Sequence, residues 1–269
     1  MQIELTNKDP TFPEVVEQPV LWGYSRDLHP ADRFKALVDA DTGKLFSIVS
    51  QDYRVIRHEE AVEQVEEALY QSNDFGDFQV ETNFFNQGGR MRRTYRFPNV
   101  EMEIEPEDTV NPELHLFNSY DTSWPFTVLL GAFRLVCSNG LVIGKKFLHF
   151  RKRHIQDLGQ IGLKDQVSTA LSRFEMQTQQ WKEWTERMLT TKAHNQVMKA
   201  MQFGNKATEE IENRVAQEAG DCDDKGFPII SLWEFFNILT WYITHRAVSL
   251  NHRVVLEKRL RAAIEVSKN

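Results

Sequence analysis

Cations and aromatic rings alternate in two stretches of this chain, and such pairing has a chemistry. In RMRRTYRF (residues 90–97), a period of two places Arg90, Arg92, Thr94 and Arg96 on one side of a strand. Met91, Arg93, Tyr95 and Phe97 fall on the other. In KKFLHFRKR (145–153), Lys145, Phe147, His149, Arg151 and Arg153 face one way, and Lys146, Leu148, Phe150 and Lys152 the other. Cations spaced along a strand can track the phosphates of a nucleic acid while the rings between them stack on bases. Arg90, Arg92, Arg96, Lys145, Lys146, Arg151, Lys152 and Arg153 are therefore the candidate phosphate contacts, with Tyr95, Phe147 and His149 as candidate stacking groups. The alternative is that these charges guard sheet edges, with Arg90 to Arg96 pairing with the acidic strand EMEIEPED at 101–108.

Other chemistry is thinly represented. The sequence holds no glycine-rich phosphate loop, no His-Glu-x-x-His, no nucleophile elbow and no Cys-x-x-Cys. Asp221, Asp223 and Asp224 crowd one loop, but Lys225 occupies a ligand position of a calcium loop and no closing Glu follows. A solvated turn is expected there, with no metal and no cofactor. Cys137 lies in an apolar strand pattern and Cys222 in the acidic loop, so a disulfide framework is not expected and Cys137 reads as structural. Asn237, Thr240, Thr244 and His245 form a polar stripe in an apolar run, to be satisfied by helix–sheet hydrogen bonds or by a ligand.

The net charge of −7 argues against a protein that coats nucleic acid indiscriminately. It is unevenly spread: residues 90–154 carry +3, which leaves −10 for the rest. No apolar run approaches the roughly 20 residues of a membrane span, and no basic-then-apolar leader opens the chain, so the cytoplasm is the expected compartment.

The elements that must position these residues follow from periodicity. Four prolines (Pro10, Pro13, Pro19, Pro30) make residues 1–30 an expected irregular segment. Two strand-like runs around Asp41-Thr42-Gly43-Lys44 predict a hairpin, and Val62, Val65 and Leu69 predict a short amphipathic helix. Period-two patterns from Phe78 to about Arg153 predict an antiparallel meander, turned at Ser138-Asn139-Gly140. Val167, Leu171, Phe174, Thr178, Trp181, Thr185 and Met188 predict a long helix, and residues 207–219 another, ended by Gly220. Ser231 and Glu234 predict a capping box before a helix that is apolar nearly all round. The fold class is α+β: an antiparallel, meander-rich sheet (31–162) followed by a helical region (163–269) packed on it as one continuous domain.

Two segments carry a resemblance. Asn118, Ser119, Asp121 and Ser123, followed by Arg134, Leu135, Val136, Cys137, Asn139 and Gly140, resemble the central signature of the phage/plasmid-like protein family. That is a domain-of-unknown-function family of bacterial viruses, plasmids and integrated elements. Trp233, Asn237, Thr240 and His245 resemble its closing helix, and the likeness covers about residues 34–261. It implies a mobile-element protein of the host cytoplasm and carries no catalytic residues to transfer. The expected function is a non-enzymatic DNA-transaction protein that binds or anneals single-stranded DNA in replication or recombination, as a homo-oligomer. The alternative is a host-interaction protein whose acidic body inhibits a defence or restriction system. No membrane partner is expected.

Overall fold

The structure is a computed structural model that describes residues 11–24, 26–72, 75–106, 108–134, 148–152, 163–247 and 250–266. Its order is β1(Val15–Tyr24), β2(Asp27–Asp39), β3(Leu45–Ser50), α1(His58–Ser72), β4(Gln79–Phe85), β5(Arg90–Arg96), β6(Met102–Glu105), β7(Asp108–Ser119), β8(Phe126–Arg134) and β9(Leu148–Lys152). The helices α2(Leu163–Glu186), α3(Thr191–Met201), α4(Asn205–Ala219), α5(Leu232–Arg246) and α6(Leu250–Val266) follow. One sheet has the order β1-β2-β3; a second runs β4-β5-β7-β8-β9, with β6 also pairing with β7. Every pairing described between these strands is antiparallel, so the protein is α+β. The chain divides into two compact units: Met1–Val100, Glu113–Leu130 and Phe147–Leu171 form the first; Glu101–Pro112, Gly131–Lys146 and Ser172–Asn269 the second.

β1 and β2 correct the expectation of an irregular start. The run VVEQPVLWGY is rich in β-branched and aromatic residues, and its proline sits where a strand tolerates one. Pro19 lies on the edge strand β1. Pro30 lies in the part of β2 that has no pairing with β3, whose register runs only from Phe34 to Val38. In both places a missing N–H costs no interior ladder bond. The β2–β3 turn forms as its sequence requires. Asp39 Oδ1 accepts from the amides of Asp41 (3.0 Å) and Thr42 (2.8 Å), and Gly43 takes φ +70°.

In the first unit, the inner face of the larger sheet carries Met91, Tyr95, Leu114, Leu116, Phe126, Val128 and Leu130, all buried. Val62, Val65 and Leu69 of α1 are buried too, as their spacing predicts. Arg93, also on the inner face, is buried and reaches Glu66 of α1 (2.7 Å) and Thr82 of β4 (2.9 Å).

The Asn118–Ser123 stretch is a clamp. Asn118 Nδ2 donates to the Ile56 carbonyl (2.8 Å) and to His58 Nδ1 (3.0 Å). That leaves His58 Nε2 to carry the hydrogen and donate to the Gly88 carbonyl (3.0 Å). Tyr120 Oη accepts from the His58 amide (2.8 Å), and its ring stacks on the imidazole at 4.0 Å. The Tyr120 carbonyl accepts from Ser47 Oγ (2.7 Å), and its ring joins Val15, Leu37, Phe46 and Val49 in one buried cluster. Gly88 is held at φ +87°, with Pro13 only 2.5 Å from where a Cβ would stand, so glycine is required there. Ser119 Oγ accepts from the Trp124 amide (3.0 Å) and donates to its carbonyl (2.9 Å), closing the corner.

The second unit is mostly helical. Trp181 and Trp184 of α2 meet Trp233 and Phe236 of α5 at 5.6 and 5.3 Å. The helix predicted through Met188 ends at Glu186 instead, and Met188 pairs with Ser231 as an isolated bridge. The capping box is present: Ser231 Oγ accepts from the Glu234 amide (3.1 Å), and the Ser231 amide donates to Glu234 Oε2 (2.6 Å). Gly220 ends α4 at φ +61°. Asp108 Oδ2 accepts from Trp233 Nε1 at 3.0 Å, which satisfies the buried indole. Among the described residues no helix is long and apolar enough to cross a membrane.

Asn118→Ala strips two buried acceptors, the Ile56 carbonyl and His58 Nδ1, of their donor. A loss of about 2–4 kcal/mol is expected from one to two unsatisfied buried groups. Denaturant unfolding of the two proteins side by side measures it, and a loss under about 1 kcal/mol would show that the clamp tolerates the missing amide.

Candidate nucleic-acid interface

The outer face of the larger sheet is where the alternating arginines emerge. Register pairs Phe85 with Arg90 and Asn83 with Arg92 across β4–β5. Across β5–β7 it pairs Arg90 with Ser119, Arg92 with Phe117, Thr94 with His115 and Arg96 with Glu113. On β8, Phe126, Val128 and Leu130 are buried, so Thr127 and Leu129 face outward; Thr127 pairs with Arg151, which is exposed. Arg90, Arg92, Arg96 and Arg151 therefore share one face, as the alternation predicts.

The face also gathers rings that sequence reasoning passed over. Trp124 meets Phe85 and Phe117 edge-on, each at 5.7 Å, and Phe117 lies 6.3 Å from His115. The Arg90 guanidinium lies 5.7 Å from the Trp124 ring centre, and that of Arg92 6.0 Å from Phe85. The available signal was the alternation of Glu113, His115, Phe117 and Ser119 against Leu114, Leu116 and Asn118. It marks β7 as a strand with an aromatic outer face, and only the register aligns it with the arginines.

Tyr95 is a correction. It is fully buried on the inner face, its hydroxyl donating to Glu66 (3.3 Å), and burial with the Glu66 charge raises its phenol pKa. The alternation that exposes Arg92 and Arg96 turns Tyr95 the other way, so it cannot stack on a base. The expected acidic partners change as well. Arg96 pairs with Glu81 and Glu113 (both 2.8 Å), and Arg90 with Asp121 (2.5 Å); none of these carboxylates belongs to the 101–108 stretch. Lys145, Lys146, Phe147 and Arg153 lie outside the described residues, as do Cys137 and the Asn139-Gly140 turn. His149 and Lys152 are placed on β9 by their backbone alone.

Arg92 stands apart. No carboxylate accepts a hydrogen bond from it among the described residues, and its buried Nε has no partner there. Its charge is felt by its neighbours. Burial first, then the charges of Arg92 and Arg96, push the His115 pKa down to about 4, so the imidazole is neutral at pH 7. Burial raises Glu113 against the pull of Arg96, while hydrogen bonds from Asn83 and Arg96 lower Glu81. Burial also works against Asp121, but the hydrogen bonds from Arg90 and Ser123 outweigh it and leave the carboxyl lowered.

Of the other candidates, the His58 cluster and the acidic loop resolve into structure, whereas in the 237–245 stripe Thr244 Oγ1 is buried with no partner among the described residues. His58, Asn118 and Tyr120 combine an imidazole, an amide and a phenol, yet all three are sealed from solvent, and burial pushes Tyr120 up to about 12. In the 237–245 stripe, Thr240 Oγ1 donates to the Asn237 carbonyl (2.8 Å), while exposed His245 bonds the Trp241 carbonyl (2.9 Å) and stacks on its ring. In the acidic loop, Asp223 Oδ1 accepts from the amides of Lys225 (2.9 Å) and Phe227 (2.8 Å), which shapes the turn.

Such a construction, an antiparallel sheet with an arginine–aromatic outer face, defines an α+β protein. The chain belongs to the family described as Domain of unknown function (DUF932), which matches residues 45–264. The match starts at β3 and ends in α6, leaving β1 and β2 outside it. No solved structure matches the chain.

Because the folded-state pKa of His115 lies below its ordinary value of about 6.5, the unfolded chain binds a proton there that the folded chain refuses. Stability from this residue is complete above about pH 6.5 and is lost as pH falls toward 4. Unfolding free energy measured between pH 7 and pH 4.5 should fall less steeply for His115→Gln than for the parent. Parallel profiles would show that His115 titrates normally.

Proposed function

We propose that this protein binds single-stranded DNA on the outer face of its larger sheet, as a non-enzymatic DNA-transaction protein of a phage or related mobile element. The observation that carries the reading is Arg92. It is a permanent cation with no hydrogen-bonded carboxylate among the described residues, set in register beside Phe117 and next to the ring of Phe85. A phosphate meets the guanidinium while neighbouring bases stack on Phe117 and Trp124, a division of labour suited to unpaired strands. Arg90 and Arg96 already hold carboxylates, so they serve mainly to fix the floor of the face and contribute less to phosphate binding. Arg151 extends the cationic row to the β9 edge.

The mobile-element context is drawn from the resemblance of the Asn118–Ser123 stretch and the α5 helix, and it supports a reading in which the protein acts in the host cytoplasm beside replication or recombination. The second reading, an acidic protein that engages a host defence factor, draws on the −10 charge carried outside residues 90–154. It predicts binding to a basic protein surface and none to oligonucleotides.

Fluorescence anisotropy with a labelled single-stranded oligonucleotide over a salt series tests the proposal. Phe117→Ala should weaken binding by about 1–3 kcal/mol, the worth of one stacked base. Arg92→Ala should weaken it and lower the log–log salt slope by roughly 0.7–1. Tyr70→Ser, an exposed residue of α1 outside this face, should change neither. Absence of any salt-sensitive binding at low ionic strength removes the reading.

A further inference from the structure

A second arrangement of cations around a ring lies in the second unit, where α4 packs on α5. Its centre is Trp241, inside the 237–245 stripe. The Arg214 guanidinium carbon stands 3.8 Å from the centre of the indole ring and that of Arg246 5.3 Å, while His245 stacks on the same ring. At 3.8 Å the Arg214 guanidinium is in contact with the ring face, a cation–π pairing. Stacking of this kind occupies the face of a guanidinium and leaves the N–H fork at its edge available.

A groove of about 490 Å³, the size of a small-ligand site, opens beside this ring. Lys206, Glu209, Glu210 and Arg214 of α4 line it, together with Trp241 and Arg246 of α5. Lys206, Glu210 and Arg214 follow one another at four-residue steps, the spacing at which a helix face ordinarily bridges its own charges. Those bridges do not form along α4. Glu210 Oε1 accepts instead from Arg246 Nε across the groove, at 2.7 Å. Among the described residues neither Lys206 nor Arg214 makes a hydrogen bond or an ion pair. Two carboxylates share the groove with Arg214, yet the indole is what holds it.

We propose that this groove binds a small ligand through a phosphate group held by Arg214 and Arg246. Their guanidinium carbons, 3.8 and 5.3 Å from one ring centre, are at most about 9 Å apart, so one anion can meet both. A single bidentate fork fills a carboxylate, whereas a phosphate monoester offers three terminal oxygens and serves two forks. Arg246 commits only its Nε to Glu210, and its terminal nitrogens remain for the ligand. Lys206 adds a point charge to the same groove. The three cations outnumber Glu209 and Glu210 by one, too small an excess to hold a polyanionic strand. The ligand is therefore a small molecule. The site stands independently of the DNA reading, whose residues belong to the first unit.

Indole N–H signals in the nuclear magnetic resonance spectrum of the full, nitrogen-15-labelled chain test it, the Trp241 signal being identified by its loss in Trp241→Phe. Inorganic phosphate should shift that signal to saturation, and succinate at matched ionic strength should need at least tenfold more. Arg214→Gln should raise the half-saturating phosphate concentration at least tenfold. Arg214→Lys, which keeps the charge and loses the fork, should do the same. Lys182→Gln, an exposed residue of α2, should change nothing. If circular dichroism shows that the Arg214 variants fail to fold, Arg246→Gln decides, with the same tenfold loss expected. An equal response to phosphate and succinate, a phosphate response that survives these arginine substitutions, or a response to a single-stranded oligonucleotide but not to phosphate overturns the proposal.

Discussion

The imidazole of His58 is the point on which the first unit closes. Each of its nitrogens is committed, one to the Asn118 amide and the other to the Gly88 carbonyl, while its own backbone N–H is held by Tyr120. Through those bonds the start of α1, the β4–β5 turn, the end of β7 and the core side of the smaller sheet meet around one ring. All of it is buried, so each bond is made in an environment where a missing partner has no water to replace it. Such a node fixes geometry more than it adds free energy. Moving any of these elements by one residue would orphan several polar groups at once, so strand register is specified far from the turns that ordinarily set it.

Register is what assembles the candidate interface. The arginines of β5 fall on one face by strand alternation alone, which any reader of RMRRTYRF can see. That they lie beside Phe117 and His115 depends on β7 pairing with β5 past the intervening β6, which takes only the first residues of β7. Carboxylates behave alike: Glu81, Glu113 and Asp121 reach the arginines through β4, β7 and the β7–β8 corner. The acidic 101–108 stretch, nearer in sequence, supplies none of them.

The same division separates what was legible in the sequence from what was not. Helices announced themselves through spacing and caps, since both are local: Val62, Val65 and Leu69 on α1, and Ser231 with Glu234 on α5. The end of β2, β3 and their Asp-Thr-Gly turn were equally plain. β1 was hidden because its prolines look like breakers until its place at a sheet edge is known. Of the site, Arg90, Arg92, Arg96 and Arg151 were legible from alternation. Tyr95 was misplaced because aromatic type was weighed above the face its own alternation assigned. The Phe85–Trp124–Phe117 row was missed because its members come from β4, the β7–β8 corner and β7, and no local pattern joins them. α3, capped by Thr190 and ended at Gln202 in the left-handed region, buries Ala193, His194, Val197 and Met201 at helical spacing, a signal that was there to be read and was passed over.

One property of the arginine–aromatic face reaches beyond its geometry. His115, the imidazole beside Phe117, has already given its proton up at neutrality, and guanidinium groups keep theirs. That part of the potential is consequently fixed by the fold, and this one ring cannot gate it until the solution is well below neutral. Mobile ions can still screen it, so salt is the lever that changes what these residues hold.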